Sequence, residues 1–199
     1  MHIAVEGMDG VGKSTMAKML GAEIDFQVVE KPLQYLFDEQ GQTTQYEKYR
    51  DYINQQRDAH SLRSMFYGFG NLFLYHHFQG VDIITDRHLA SNYYWCGNNE
   101  TDDYFKSLIN IIGKPDYTIL LHASAEESEK RIRKRSHFDP DLAKVCLHDG
   151  ANKKIKAFLN DYEMPHIVID TTTLSPEEVL DQIMKSLPTS LINRINKRG

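Results

Sequence analysis

Apolar and polar positions divide the chain into short continuous apolar runs and longer stretches of helical periodicity. The runs lie at 2–6, 26–29, 80–85, 116–121 and 166–170. Each suits a buried strand, and Ile119-Leu120-Leu121 is too continuous for a strand with one wet face. Between them, residues 14–20 place Met16, Met19 and Leu20 on one side of a helix. Leu62, Met65, Phe66, Phe69, Leu72 and Phe73 follow the spacing of a long amphipathic helix, laid on the sheet with this aromatic stripe as core. Arg63, Tyr67 and Asn71 recur on its other face at successive turns, placed to border an acceptor pocket. A helix over 101–113 turns Phe105, Leu108, Ile109 and Ile112 inward and stops at Gly113 and Pro115. Ser124 with Glu127 reads as a capping box opening the next helix, and another is expected from about Lys144 to Tyr162. Ser175-Pro176-Glu177-Glu178 starts a last helix through about Ser186, which Pro188 ends.

Three segments are less regular. Residues 35–60 are polar, with Tyr46, Tyr49, Arg50, Tyr52 and Arg57, and read as exposed helical structure with irregular joints. Residues 136–142 read as a mobile segment around Asp139-Pro140-Asp141, and 189–199 as a frayed basic end with Arg194, Lys197 and Arg198. Strands alternating with helices predict an α/β fold: a parallel sheet of about five strands with helices on both faces. One domain over 1–187 with a tail at 188–199 accounts for the chain.

The first strand and helix are joined by Gly7-Met8-Asp9-Gly10-Val11-Gly12-Lys13-Ser14, a phosphate-binding pattern in the strand–loop–helix context it requires. Backbone N–H groups that all point at a polyphosphate need conformations open to glycine, and the helix adds its positive end. Lys13 would set its charge against the β- and γ-phosphates, and the Ser14 hydroxyl would ligate the bridging Mg²⁺.

A second anchor is Asp86-Arg87-His88, delivered to the carboxyl end of the third strand. A carboxylate there suits Mg²⁺, and an adjacent arginine can fork onto a phosphate. Ser91, Tyr94 and Trp95 follow, offering a hydroxyl and flat rings to a base or sugar, or else packing the interior. Glu30 and Lys31 end the second strand, either at the ligand-gathering edge or in a plain charged turn. In the run 130–135, Arg131 and Arg135 share a helix face while Arg133 points elsewhere.

The 199 residues carry a formal net charge of -5 and are 41% hydrophobic, which suits a soluble globular protein, gives no footing to a nucleic-acid binder and leaves a small acceptor as the expectation. No signal peptide or membrane-length apolar run is visible, so no membrane partner is expected and the default compartment is the cytoplasm. Cys96 and Cys146 lack metal-ligand or redox spacing and read as free thiols.

These anchors make the chain resemble the thymidylate kinase family of nucleoside monophosphate kinases. The resemblance rests on residues 6–15, on Asp86-Arg87-His88 with Ser91, and on Pro115-Asp116-Tyr117-Thr118-Ile119-Leu120-Leu121. Arg131, Arg135, Asp139 and Val168-Ile169-Asp170 continue it. It implies a P-loop kinase fold with a small lid at about 136–143, a nucleotide acceptor and a homodimer. Lys13 and Ser14 would hold ATP and Mg²⁺ within a loop completed by Gly7, Gly10, Val11, Gly12 and Thr15, with Asp86 assisting the metal. Asp9 would lie near the acceptor phosphate and Arg87 would grip it, with Glu30, Arg63, Tyr67, Ser91 and Trp95 around the acceptor.

Three departures follow. The family's Arg-Glu-Pro-Gly-Gly turn is replaced by Val29-Glu30-Lys31-Pro32-Leu33. Its thymine-reading Arg falls near Phe66 or Gly70. Its lid arginine is replaced by Pro140, with Gly rather than a basic residue at position 10. A cation for transfer must come from elsewhere, and Arg131, Arg133 and Arg135 are the nearest. Two other functions stay open. One is a deoxynucleoside kinase, in which Glu30 would be general base for a 5′-hydroxyl. The other is a nucleotide-binding protein without turnover.

Overall fold

β1 (His2–Glu6) is buried along its whole length because it is the central strand of a five-stranded sheet. The computed structural model describes residues 1–38 and 43–196. Strand order is β2-β3-β1-β4-β5, with β2 at Gln27–Val29, β3 at Ile83–Asp86, β4 at Tyr117–His122 and β5 at His166–Asp170. All pairings among them are parallel, and the register sets Val5 beside Asp86. The segments leaving β1 and β3 therefore start side by side at the carboxyl edge, where open α/β sheets bind ligands.

The helices are α1 (Lys13–Ile24), α2 (Pro32–Phe37), α3 (Gln45–Gln55), α4 (His60–His77), α5 (Leu89–Cys96), α6 (Asp102–Ile112), α7 (Ala125–Arg135), α8 (His148–Asp161), α9 (Pro176–Ser186) and α10 (Thr189–Asn196). On one face of the sheet, Ile3, Val5, Ile119 and Leu121 pack with Met16 and Leu20 of α1, Ile183 of α9 and Leu191 of α10. On the other, Leu120 packs with Phe105 of α6 and Ile155 and Phe158 of α8. The alternation of Ile119, Leu120 and Leu121 between two cores explains their unbroken apolar run. No helix among the described residues is long and apolar enough to cross a membrane.

Four expectations are corrected. The aromatic stripe of α4 is not core: Leu62, Met65, Phe69 and Leu72 are exposed, and Phe66 and Phe73 only half-buried. The helix instead buries Ser64, Gly68, Gly70, Asn71 and Leu74. Small residues win that face because the neighbours come too close for large ones. A Cβ on Gly68 would overlap the Tyr104 hydroxyl, and one on Gly70 would lie 3.1 Å from Leu33. At Ser124 only half a capping box forms: its hydroxyl accepts from Glu127 N, while the Glu127 carboxylate holds Lys130 and Arg131. The complete box is at Ser175 with Glu178. The helix expected from about Lys144 starts only at His148: residues Pro140–Leu147 form a 3-10 helix, capped by the Asp139 carboxylate on Asp141 N. The supposed frayed end forms α10 as far as Asn196, with Leu191 in the core and Arg194 paired to Asp116 at 2.7 Å; Lys197 and Arg198 lie outside the described residues.

Candidate active site

The loop from β1 to α1 has three glycines at positive φ: 137° at Gly7, 83° at Gly10 and 99° at Gly12. Gly7 and Gly10 are constrained twice. A Cβ at Gly7 would collide with the Leu121 carbonyl oxygen, and one at Gly10 would lie 2.7 Å from that of Ser128. No side chain caps α1, so its first N–H groups are left for an anion.

Lys13 is buried, and its Nζ donates to the Met8 carbonyl at 2.7 Å. Burial, with the Arg87 guanidinium second, lowers its pKa from 10.5 to about 8. Only protonated Lys13 attracts phosphate, so the affinity of the free protein for ATP should fall as pH rises through about 8. Calorimetric titration with ATP from pH 6.5 to 9.5 checks this; a flat profile would remove the Lys13 charge from binding.

The Ser14 hydroxyl donates to Asp86 Oδ2, and Asp86 Oδ1 is buried without a partner. One hydroxyl and one carboxylate with a spare oxygen, completed by phosphate oxygens and water, suit Mg²⁺. No cluster of three or more His, Cys, Asp or Glu that could hold a metal occurs among the described residues.

Arg87 reaches back over the phosphate loop. Its backbone has φ 74°, NH1 donates to the Gly7 carbonyl at 2.9 Å and Ser91 Oγ at 3.3 Å, and NH2 pairs with Asp9 Oδ1. Burial pulls the Asp9 pKa upward, but the charges of Arg87, Lys13 and Lys144 outweigh it and hold the carboxyl below its usual range. Beneath lies Glu6, fully buried, with Oε1 accepting from the backbone N–H of His88 at 3.0 Å, Ala90 at 3.1 Å and Ser91 at 3.2 Å; Oε2 accepts from the Ser91 hydroxyl. Burial raises the Glu6 pKa despite these donors. The carboxylate ties the end of β1 to the start of α5 and so sets Arg87 and Ser91 over the loop.

Asp9, Ser14, Asp86 and Arg87 open onto a cleft of about 1160 Å³. Glu30, Arg63, Tyr67, Ser91 and Trp95 also line it, as does Asn71. Glu30 is exposed and 3.2 Å from Lys18 Nζ. Thr15 is exposed on α1 and Val11 is buried, its carbonyl accepting from Thr171 Oγ1. The α7 arginines do not line the cleft. Arg131 donates to Glu127 Oε1 at 3.0 Å and to Thr171 Oγ1 and O at 3.0 and 2.6 Å; Arg135 is tied to Asp139 and Asp141, each at 2.8 Å.

Several lining residues carried no assigned role in the sequence. Tyr46, Arg50 and Asn54 present one face of α3 to the cleft, and the Tyr67 hydroxyl donates to Asn54 Oδ1 at 2.8 Å, joining the walls made by α3 and α4. Their spacing of four is the signal that could have found them, the same one that marked Arg63, Tyr67 and Asn71. Arg57, Asn92 and Lys144 also line the cleft, and no local pattern marks them.

A glycine loop on a parallel sheet, a buried lysine at a helix start and an aspartate facing the next serine define a P-loop nucleotide kinase. The thymidylate kinase family model matches residues 5–183, and the chain belongs to that family. A probable thymidylate kinase of Archaeoglobus fulgidus is 25% identical, over 96% of both chains. Among solved structures, thymidylate kinase from Candida albicans superposes with a TM-score of 0.65 at 18% identity, covering 98% of this chain and 92% of that one. Deoxyadenosine kinase from M. mycoides with bound dCTP gives 0.64 at 21%, covering 93% and 97%. These two show the fold.

Proposed function

We propose that the protein transfers the γ-phosphoryl group of Mg²⁺-ATP to a nucleoside or deoxynucleoside monophosphate, giving the diphosphate. One observation carries the choice of acceptor. Arg57 and Arg63 line the cleft with no carboxylate partner among the described residues, and Arg63 Nε is buried without any partner. Arg63 NH1 donates only to the Arg57 carbonyl, at 3.3 Å, and in a chain with net charge -5 two guanidinium groups without a carboxylate partner, in the same cleft as Arg87, suit a phosphate on the acceptor and would be idle against a neutral nucleoside.

Lys13 and the loop amides would hold the ATP phosphates, and Ser14 and Asp86 would hold Mg²⁺, which neutralises charge on the transferring group. Arg87, with Asp9 fixing its fork, would grip the acceptor phosphate. That phosphate is already an anion, so no general base is needed and catalysis is positioning with charge neutralisation. Tyr67 and Trp95 offer faces to the base, and Asn71 and Asn92 the polar groups that would read its edge.

Product formation from panels of nucleoside monophosphates and nucleosides with Mg²⁺-ATP, resolved by mass, tests this. A diphosphate product is expected. The second reading, a deoxynucleoside kinase with Glu30 as base, is favoured by the position of Glu30 on the cleft wall. Under the main reading Glu30→Gln keeps most turnover, because an acceptor phosphate that is already an anion needs no base; loss of turnover, with a monophosphate formed from a nucleoside, would establish the second reading.

A further inference from the structure

Phosphoryl transfer spreads negative charge over the migrating group, and a cation that can approach it from the open side is worth much in rate. The arginines nearest in sequence are occupied elsewhere. Arg131 is turned to Thr171, Arg135 holds Asp139 and Asp141, and Arg133 is an exposed partner of Glu129 at 2.7 Å. None of the three lines the cleft.

The 3-10 helix Pro140–Leu147 does line it, and presents Lys144. Lys144 Nζ lies 2.7 Å from Asp141 Oδ1, 3.8 Å from Asp9 Oδ2 and 5.6 Å from the centroid of the Trp95 ring. Asp9 belongs to the phosphate loop and also holds Arg87. Lys144 thus spans the cleft from the segment opposite to the loop where the phosphates would sit, and is the lysine or arginine of that segment that does so. An ion pair this long and half-exposed contributes little to stability. A migrating phosphoryl group together with the donor and acceptor oxygens on either side of it carries more negative charge than the Asp9 carboxylate and would draw the ammonium from it.

We infer that Lys144, paired with Asp9 and Asp141 across the cleft, is the side-chain cation that neutralises the transferring phosphoryl group, its ammonium passing to the phosphoryl oxygens when nucleotides bind. The inference rests on the proposed phosphotransfer. In that step the bond from the γ-phosphorus to the β–γ bridging oxygen breaks, and the electron pair leaves on ADP. A new bond forms from an acceptor phosphate oxygen, and no proton is consumed. Lys144 makes no bond; the flat Trp95 face beside its stem supports the ammonium while it moves.

The test compares wild type, Lys144→Met, Lys144→Arg and Arg133→Met by turnover and by calorimetric binding of ADP with Mg²⁺, with and without aluminium fluoride as a mimic of the transferring group. Lys144→Met should lower kcat about 100-fold. Its affinity for ADP alone should stay within about threefold of wild type, and aluminium fluoride should no longer tighten binding. Lys144→Arg should recover most of both effects, which a merely structural lysine would not show, and Arg133→Met should match wild type. If Lys144→Met keeps wild-type turnover and the aluminium fluoride gain, or Arg133→Met loses them instead, the assignment is overturned. The calorimetric arm needs no acceptor. Should wild type make no diphosphate, the acceptor reading fails while the Lys144 assignment is still decided by binding.

Discussion

Lys13→Met lowers turnover by about 10³-fold while the protein melts at or above the wild-type temperature. The loss of rate follows from position: Lys13 opens α1 inside the phosphate loop, and removing a preorganised cation from developing phosphate charge costs about two to three powers of ten or more. The stability effect runs the other way. A pKa lowered from 10.5 to about 8 in a side chain only 6% exposed means that folding works against the charged form, by about 3 kcal/mol. The contact with the Met8 carbonyl offsets part of that, so the net gain on substitution is smaller. Between pH 8 and 10.5 the unfolded chain binds the Lys13 proton and the folded one does not, so the penalty disappears and stability rises with pH across that window. Denaturant unfolding at pH 7.5 and 9.5 reads it: the Lys13 contribution to the rise should be missing in Lys13→Met. Near-normal turnover in the variant would remove the phosphate loop from the mechanism. Normal loss of turnover with the pH-dependent rise intact would show that burial does not tax the lysine charge. A binding site kept unfavourable for its own residue is the usual cost of preorganising charge for a ligand.

How far the sequence could be read depended on how local the cause was. The five strands were legible because a buried parallel strand needs only a short apolar run, and the phosphate loop because its glycines, lysine and serine are consecutive. Asp86 and Arg87 were legible as soon as β3 was placed, although nothing in the chain announces that Val5 aligns with Asp86 or that Arg87 folds back to Gly7. The orientation of α4 was not legible. Its apolar stripe satisfies every local rule for a core face, but Tyr104 and Leu108 of α6 and Leu33 of α2 approach so closely that Gly68 and Gly70 take that side. The same rotation carries Arg63, Tyr67 and Asn71 into the cleft. At the end of the chain the apolar spacing outweighs the basic charge: Leu191, Ile192 and Ile195 recur as a helix face, and all contact the core around Ile183. Lys144 carries no local signal, because only tertiary placement decides which side chain of the 3-10 helix Pro140–Leu147 points across the cleft.

Arg87→Ala lowers kcat/KM for the acceptor by about 10² to 10³-fold and leaves the dissociation constant for ATP within about threefold. The separation follows from the proposed roles. Arg87 leaves β3 and crosses to the Gly7 carbonyl, Ser91 and Asp9, where its fork would meet the acceptor phosphate, while Lys13, whose Nζ donates to the Met8 carbonyl and lies 3.9 Å from the same Asp9 oxygen, would meet the phosphates of ATP. Arg87→Lys should recover little, since one ammonium cannot hold Asp9, the Gly7 carbonyl and a phosphate in the planar arrangement that a guanidinium provides. Truncation also leaves Asp9 free to bind Lys144 more firmly, which withholds that cation from transfer and adds a fall in kcat to the rise in KM. Arg87→Gly separates side chain from backbone. A φ of 74° disfavours any residue with a Cβ, by about 1 kcal/mol, so the Gly variant should be as inactive as the Ala variant but melt at a higher temperature. If Arg87→Ala weakens ATP and spares the acceptor, the donor and acceptor sides of the cleft are the reverse of those argued from Asp9 and Arg57. If Gly restores activity where Ala does not, the backbone turn at position 87, and not the guanidinium, is what the site requires.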